Sequence, residues 1–274
     1  MRKILTLLTL TLIFNSCSSD DSSNEPSLPN LLKTEQRSYF NNNLEEVIIT
    51  NFNGKKIVSE SFYDPNNQLV AKTVWGYSNN MLSNIKTFSP SNVLNSEFNL
   101  TYNSAGRLSQ TNSVEGTYTT TTTFTYNGNT ILSERNSNGY ITNKTFTLNS
   151  NGIIDKEYEN GELLISIIFN NFNPVSKTIH GSFGSTYNLT YTSTGISPYS
   201  FQDIFGATPT NTQLFQNNSI FDSSNMLANQ LLQTVTSTNF NMNKVYTFNS
   251  NNQPLTAKTY RNNVLSNEVT FYYE

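Results

Sequence analysis

From about residue 45 onward, apolar and polar positions alternate with a period of two, as in Phe98-Asn99-Leu100-Thr101-Tyr102 and Thr123-Phe124-Thr125-Tyr126. That period puts every second side chain on one face of a strand, and the β-branched and aromatic residues gathered there suit a pleated, half-buried surface. Between the strands stand Asn53-Gly54, Asn127-Gly128, Asn138-Gly139, Asn151-Gly152 and Asn160-Gly161, with Asn66-Asn67, Asn79-Asn80, Ala105-Gly106, Asn251-Asn252 and Asn262-Asn263 in similar places. Asn and Gly accept the positive φ that tight hairpin turns require. In the middle of the chain the turns recur every 9 to 13 residues, one strand and one turn per interval. The pattern predicts an all-β antiparallel meander of repeated hairpins, forming a large twisted or curled sheet within one domain over residues 31–274.

The alternation fades from Ser197-Pro198-Tyr199 to about Asn241, where Pro198, Gly206 and Pro209 interrupt it. Ser223 to Gln233 has Met226, Leu227, Leu231 and Leu232 near one face of a short helix, with Ser223 placed to cap it. This insertion, about 198–240, reads as a plug over an open sheet edge or one end of the core. A ligand-binding insertion is the alternative.

The stronger turns share a motif, an aromatic or Leu followed by Asn or Asp and then Gly or a polar residue before an aliphatic. It occurs at Tyr102-Asn103-Ser104-Ala105-Gly106-Arg107-Leu108, Tyr126-Asn127-Gly128, Leu148-Asn149-Ser150-Asn151-Gly152-Ile153 and Phe248-Asn249-Ser250-Asn251-Asn252-Gln253. Asn103, Asn127 and Asn149 are spaced 24 and 22 residues apart, the length of one hairpin, which marks a repeat architecture. The pattern resembles the YD-repeat (RHS-type) motif, and more closely the small YD-like lipoproteins of Bacteroidetes, over roughly residues 45–196 and 244–274. In large YD-repeat proteins such strands spiral into a shell. This chain has too few units for a closed shell to be expected, and no toxin function is carried over.

The N-terminus reads Met1-Arg2-Lys3, an 11-residue apolar run from Ile4 to Phe14, then Asn15-Ser16-Cys17, the order of an export signal over residues 1–16. The run is well short of the roughly 20 residues a spanning helix needs. Ser16-Cys17 resembles the lipobox of bacterial lipoproteins, which implies acylation of Cys17, the only cysteine of the chain. Two or three acyl chains, at about 0.8 kcal/mol per buried methylene, hold a soluble domain on a bilayer. Residues 17–30 then form a polar tether, and Ser18, Ser19, Asp20 and Asp21 resemble the signal that sends Bacteroidetes lipoproteins to the outer face of the outer membrane.

Loss of residues 1–16 leaves 14 Lys and Arg against 19 Asp and Glu, a formal charge of −5. No basic patch answers to a phosphate backbone, so nucleic acid is not an expected partner. Charged residues are 13% of the chain against about 25% in ordinary domains, with Asn, Ser and Thr supplying the polarity.

Catalytic patterns are sparse. His180 is the sole histidine, and no Gly-x-Ser-x-Gly elbow or Gly-rich phosphate loop occurs. Alternation would put Asp155, Glu157 and Glu159 on one face with Glu162 across a hairpin, an oxygen-rich set of the kind that suits calcium, against the simpler reading of a solvated face. Trp75 is the aromatic placed to stack on a sugar, or else to pack in the sheet. These features predict a non-enzymatic envelope lipoprotein without cofactor or resident metal, displayed on the cell surface and binding a glycan or an envelope protein. A periplasm-facing assembly factor and, less favoured, a hydrolase using dispersed carboxylates are the alternatives.

Overall fold

The computed structural model describes residues 29–182, 184–193, 195, 209–215 and 230–274. The expected export signal (residues 1–16), Cys17, Ser18 to Asp21, and most of the 198–240 segment lie outside them.

Among the described residues, eighteen strands follow one another. They are β1 (Leu31–Phe40), β2 (Asn43–Asn53), β3 (Lys56–Tyr63), β4 (Leu69–Ser78), β5 (Met81–Phe88) and β6 (Leu94–Tyr102). Next come β7 (Leu108–Glu115), β8 (Tyr118–Asn127), β9 (Thr130–Ser137), β10 (Tyr140–Leu148), β11 (Ile154–Glu159) and β12 (Glu162–Asn170). The last are β13 (Asn173–Ile179), β14 (Ser185–Tyr191), β15 (Leu232–Ser237), β16 (Phe240–Phe248), β17 (Pro254–Arg261) and β18 (Val264–Tyr273). Each pairs antiparallel with its neighbours in sequence, and β1 also pairs with β18 from Leu31↔Tyr273 to Ser38↔Asn267.

The expected antiparallel meander is present, but it is a closed 18-stranded barrel and not an open curled sheet. Closure comes from β1, which lies upstream of the stretch where alternation is regular and supplies the partner that β18 would otherwise lack. A barrel has no free edges, so there is no edge for an insertion to cover. The insertion is also shorter than the 198–240 expected, because β15 resumes the sheet at Leu232 and places Leu232 and Gln233 in a strand instead of a helix. The helix described is α1 (Pro209–Phe215), with Pro209 at a first-turn position where its missing N–H costs nothing.

Two-residue turns at Asn41-Asn42, Asn79-Asn80 and Asn262-Asn263 have positive φ at both residues, the geometry whose twist matches the strands they join. Longer turns are held by a side chain at their first position. Asn103 Oδ1 accepts from the backbone N–H groups of Ala105 and Arg107 at 3.0 Å each, and Asp64, Asn149 and Asn249 do the same in their own turns.

Because strands alternate in direction, the barrel has two distinct ends. The proximal end holds Asn30, Glu274, α1 and the turns at 54–55, 79–80, 103–107, 128–129, 149–153, 171–172 and 249–253. The start of β1 and the end of β18 are joined there, Asn30 Nδ2 donating to Glu274 Oε2 at 3.0 Å and the Glu274 N–H to Asn30 O at 3.1 Å. The apolar core sits toward this end: Leu31, Phe52, Ile57, Leu82, Leu100, Leu108, Phe124, Ile131, Phe146 and Ile154 all lie near proximal strand ends and join one cluster with Leu214 of α1.

Just past the proximal turns, the register repeatedly slips by one residue. The inward residues are then three apart instead of two: Ile57 and Glu60, Leu82 and Ile85, Leu108 and Thr111, Ile154 and Glu157, Pro174 and Lys177, Leu232 and Val235, Pro254 and Ala257. Such bulges raise local twist and bend the wall, which helps close a sheet. A ladder of tyrosine hydroxyls fastens these same residues. Tyr77 donates to Ile57 O, Tyr102 to Leu82 O, Tyr126 to Leu108 O, Tyr191 to Pro174 O, Tyr246 to Leu232 O and Tyr273 to Pro254 O, at 2.8 to 2.9 Å. Burial holds the Tyr102 phenol up at about 12 and pushes those of Tyr77, Tyr126 and Tyr191 up as well, so all remain donors at neutral pH.

The ladder is interrupted where Leu148 and Phe169 stand in place of tyrosine. At the second gap, α1 supplies the missing bond. Gln213 Nε2 donates to Ile154 O at 2.8 Å while its Oε1 accepts from the Ile154 N–H at 2.7 Å. Asn211 bridges in the same way to the Leu108 N–H and Gly106 O, and Thr210 Oγ1 donates to Gly152 O. The helix therefore closes one end of the core.

Candidate functional site: the barrel lumen

Above the apolar layer, the inward positions form a polar belt. Thr34, Thr50, Thr73, Thr111, Thr122, Ser133, Glu157, Lys177 and Thr259 are all buried, one to a strand. Thr73 and Thr87 share a hydroxyl hydrogen bond of 3.1 Å across β4 and β5. Thr122 Oγ1 is buried without a hydrogen-bond partner.

Two carboxylates anchor the belt. Glu60 accepts from Trp75 Nε1 at 3.1 Å and from Thr50 Oγ1 at 3.4 Å. Burial raises its pKa above the usual carboxylate value, and those two donors oppose the shift. Glu157 meets Lys144 Nζ at 2.6 Å, with side-chain exposures of 2% and 20%, so the pair is shielded from the screening that weakens surface ion pairs.

Of the carboxylates expected to share one face, Glu157 and Glu159 do face the lumen, with Glu162 across the hairpin, but Asp155 does not. A bulge between Ile154 and Lys156 turns Asp155 away from Glu157, and Asp155 accepts from Thr147 Oγ1 at 2.8 Å on the outer wall. Glu157 points inward to Lys144, while Glu159 and Glu162 sit opposite one another at the distal hairpin. Among the described residues, no group of three or more His, Cys, Asp or Glu side chains is placed to share a metal. Trp75 packs against the apolar cluster from inside the barrel, its N–H bound to Glu60, and offers no platform on the outer wall. His180 Nε2 lies 2.9 Å from Ser166 Oγ.

The outer wall is mainly polar, although Val74, Leu132, Ile141, Ile168 and Val245 are exposed on it. Lys33, Glu35, Arg37, Lys72, Lys86, Glu97, Glu134, Lys156, Lys258 and Glu268 point outward, with threonine and asparagine between them. Three pairs are bridged: Arg37 with Glu35 at 2.9 Å, Lys86 with Glu97 at 3.2 Å and Lys258 with Glu268 at 2.6 Å. The Thr119 to Thr123 run is divided by alternation. Thr119, Thr121 and Thr123 line a shallow outer groove with Glu134, Asn136 and Asn138, while Thr120 and Thr122 face inward. At the distal end Phe40, Val93, Leu94, Tyr118, Tyr140 and Val264 are exposed around the hairpin tips.

No family model and no curated protein matches this chain. Solved structures do. A porin-like protein from Bacteroides uniformis is 15% identical, with 89% of this chain and 98% of that one covered at a TM-score of 0.43. A porin-like protein from Bacteroides vulgatus is 10% identical, with coverage of 90% and 99% and a TM-score of 0.37. A complex titled TcdB2-TccC3-Cdc42 is 10% identical over 84% of this chain and 15% of that one, at a TM-score of 0.24. With TM-scores below 0.5, these likenesses assign neither family nor activity.

Sequence reasoning missed the luminal lysines and arginines, because in a strand each looks like an ordinary solvated residue. Counting alternation outward from the buried Thr259 would have placed Arg261 inside, and the pairing of β16 with β17 adds Lys244 beside it.

Proposed function

We propose that this chain is a non-enzymatic, lipid-anchored protein of the bacterial outer membrane, held by Cys17 and displayed outside the cell. Its barrel is a binding module for a glycan or an envelope protein, built from YD-like hairpins. The observation that carries the reading is the position of Asn30, which leaves the barrel at the plugged end beside Glu274. A tether running from there to a membrane puts the α1 plug nearest the bilayer and turns the distal mouth away from it.

A pore through the bilayer is a poor fit to the wall. A membrane barrel presents an apolar band about 25 Å tall to lipid, and an outward Lys or Arg at its midplane costs ~2–4 kcal/mol. Here charged residues face outward on strand after strand, and the apolar layer is inside. The porin-like descriptions of the similar structures are therefore not carried over as a channel function.

Protease shaving of intact cells tests the location, comparing wild type with Cys17→Ala and with Asp20 and Asp21 replaced by Ala. Cleavage of wild type on whole cells, with the tether variant protected, is the expected result. Protection of wild type until the outer membrane is opened would overturn surface display in favour of a periplasm-facing assembly role.

A further inference from the structure

The inward positions of β13 through β18 and β1 can be read off the pairing register, and they are lopsided in charge. They include Lys177, Lys244 and Arg261 and not one Asp or Glu. The luminal acids Glu46, Glu60, Glu115, Glu157, Glu159 and Glu162 all belong to strands of the other arc. Lys244 and Arg261 are diagonal neighbours on adjacent strands, Met242 pairing with Arg261 and Lys244 with Thr259. Like charges so placed repel, and among the described residues no carboxylate pairs with either. Burial and the nearby Arg261 both depress the lysine's pKa, in that order.

Lys244 is half-buried on the lumen wall and Arg261 is exposed at its rim, so the two cations face the lumen from its mouth. Their surroundings are those of a sugar site: Tyr187 and Phe240 meet edge to face, ring centroids 6.2 Å apart, and Ser185, Ser237, Thr259 and Asn267 supply hydroxyl and amide groups on the same luminal face. Arg261 stands next to the distal Asn262-Asn263 turn, at the mouth that faces away from the tether.

We propose that Lys244 and Arg261, with the Tyr187–Phe240 pair on the distal side of Arg261, form a luminal site for an acidic oligosaccharide whose carboxylate or sulfate lies between the two cations. The sugar faces pack on the rings, and the distal mouth admits the end of a glycan chain. This deepens the binding-module reading by naming a ligand class and the residues that select it, and it rests on that reading.

The test is calorimetric titration of full-length lipoprotein in detergent with trigalacturonate, with a sulfated galactose trisaccharide, with inorganic sulfate and with neutral maltotriose. Binding of either acidic trisaccharide, at least tenfold tighter than maltotriose or sulfate, is expected, and the tighter of the two identifies the charged group. Lys244→Met and Arg261→Gln should each weaken it about tenfold or more, while the thermal midpoint stays the same or rises because an uncompensated charge is removed. Arg261→Glu gives Lys244 a counter-ion and should abolish binding with the barrel intact, which separates loss of the site from loss of the fold. Failure of both acidic trisaccharides to bind, equal binding of maltotriose or of sulfate alone, or indifference to these substitutions overturns the proposal. Because the titration is done off the cell, it is independent of where shaving places the protein.

Discussion

The plug helix makes a prediction in which hydrophobicity and hydrogen bonding give opposite signs. Gln213 is buried and satisfies both backbone groups of Ile154, at 2.7 and 2.8 Å, where the tyrosine ladder has a gap. Replacing it by Leu keeps the volume, adds apolar area and keeps water out, but it leaves a buried N–H and a buried C=O without partners. Each orphan costs ~1–3 kcal/mol, so Gln213→Leu should lose ~3–4 kcal/mol. Gln213→Ala opens enough space for a water to reach the same groups and should lose less, ~2 kcal/mol. Apolar transfer alone predicts the reverse order, with Leu ahead of Ala by ~1–2 kcal/mol. Urea unfolding followed by the fluorescence of Trp75, the only tryptophan, measures both on one scale, and an unchanged slope shows that stability and not compactness has moved. Exchange of the Ile154 amide should quicken in both variants. If Gln213→Leu is as stable as wild type, the bridging bonds do not hold the plug, and its docking is due to Leu214 and its apolar neighbours.

Other predictions follow from the belt. Lys144→Met removes one partner of the buried Glu157 and should cost ~1–3 kcal/mol by the same unfolding assay, most of it recovered when Glu157→Gln is added; no loss at all would mean that the pair is effectively solvated. Glu60 has a folded pKa raised above its unfolded value, so the folded state binds more protons between the two and stability falls as pH rises through that window. Glu60→Gln keeps the Trp75 and Thr50 contacts and should therefore be more stable than wild type at pH 7, with the difference vanishing toward pH 4; lower stability at pH 7 would refute this sign.

The turns were the most legible part of the chain. Asn79-Asn80, Asn138-Gly139, Asn160-Gly161 and Asn262-Asn263 announce hairpins because few other residues adopt positive φ cheaply, and each is a turn in the barrel. Closure was not legible. Whether strands stop as a curled sheet or meet as a ring depends on the pairing of Leu31 to Ser38 with Asn267 to Tyr273, residues more than 200 positions apart with no local mark of their partnership. Apolar spacing points to a helix at Ser223 to Gln233, most of which lies outside the described residues, whereas the short α1 is held mainly by polar side chains, Thr210, Asn211 and Gln213, reaching strand and turn backbone. Periodicity of apolar residues cannot reveal a helix of that kind.

The misplacing of Asp155 relative to Glu157 and Glu159 has a more general cause. Alternation assigns faces correctly only while the register is unbroken, and this barrel inserts one extra residue after proximal turn upon proximal turn. Each insertion shifts the parity of everything upstream of it in the strand, so Asp155 falls outside and Ile154 inside although the sequence reads evenly through both. The same bulges bend the wall, so the feature that closes the barrel also hides its lumen from sequence. Lys177, Lys244 and Arg261 fall on one luminal arc only after parity has been corrected on several strands and the loop between Tyr191 and Leu232 has been crossed. A binding surface composed this way leaves no motif, and the absence of a motif in a β-repeat chain is weak evidence against a specific ligand.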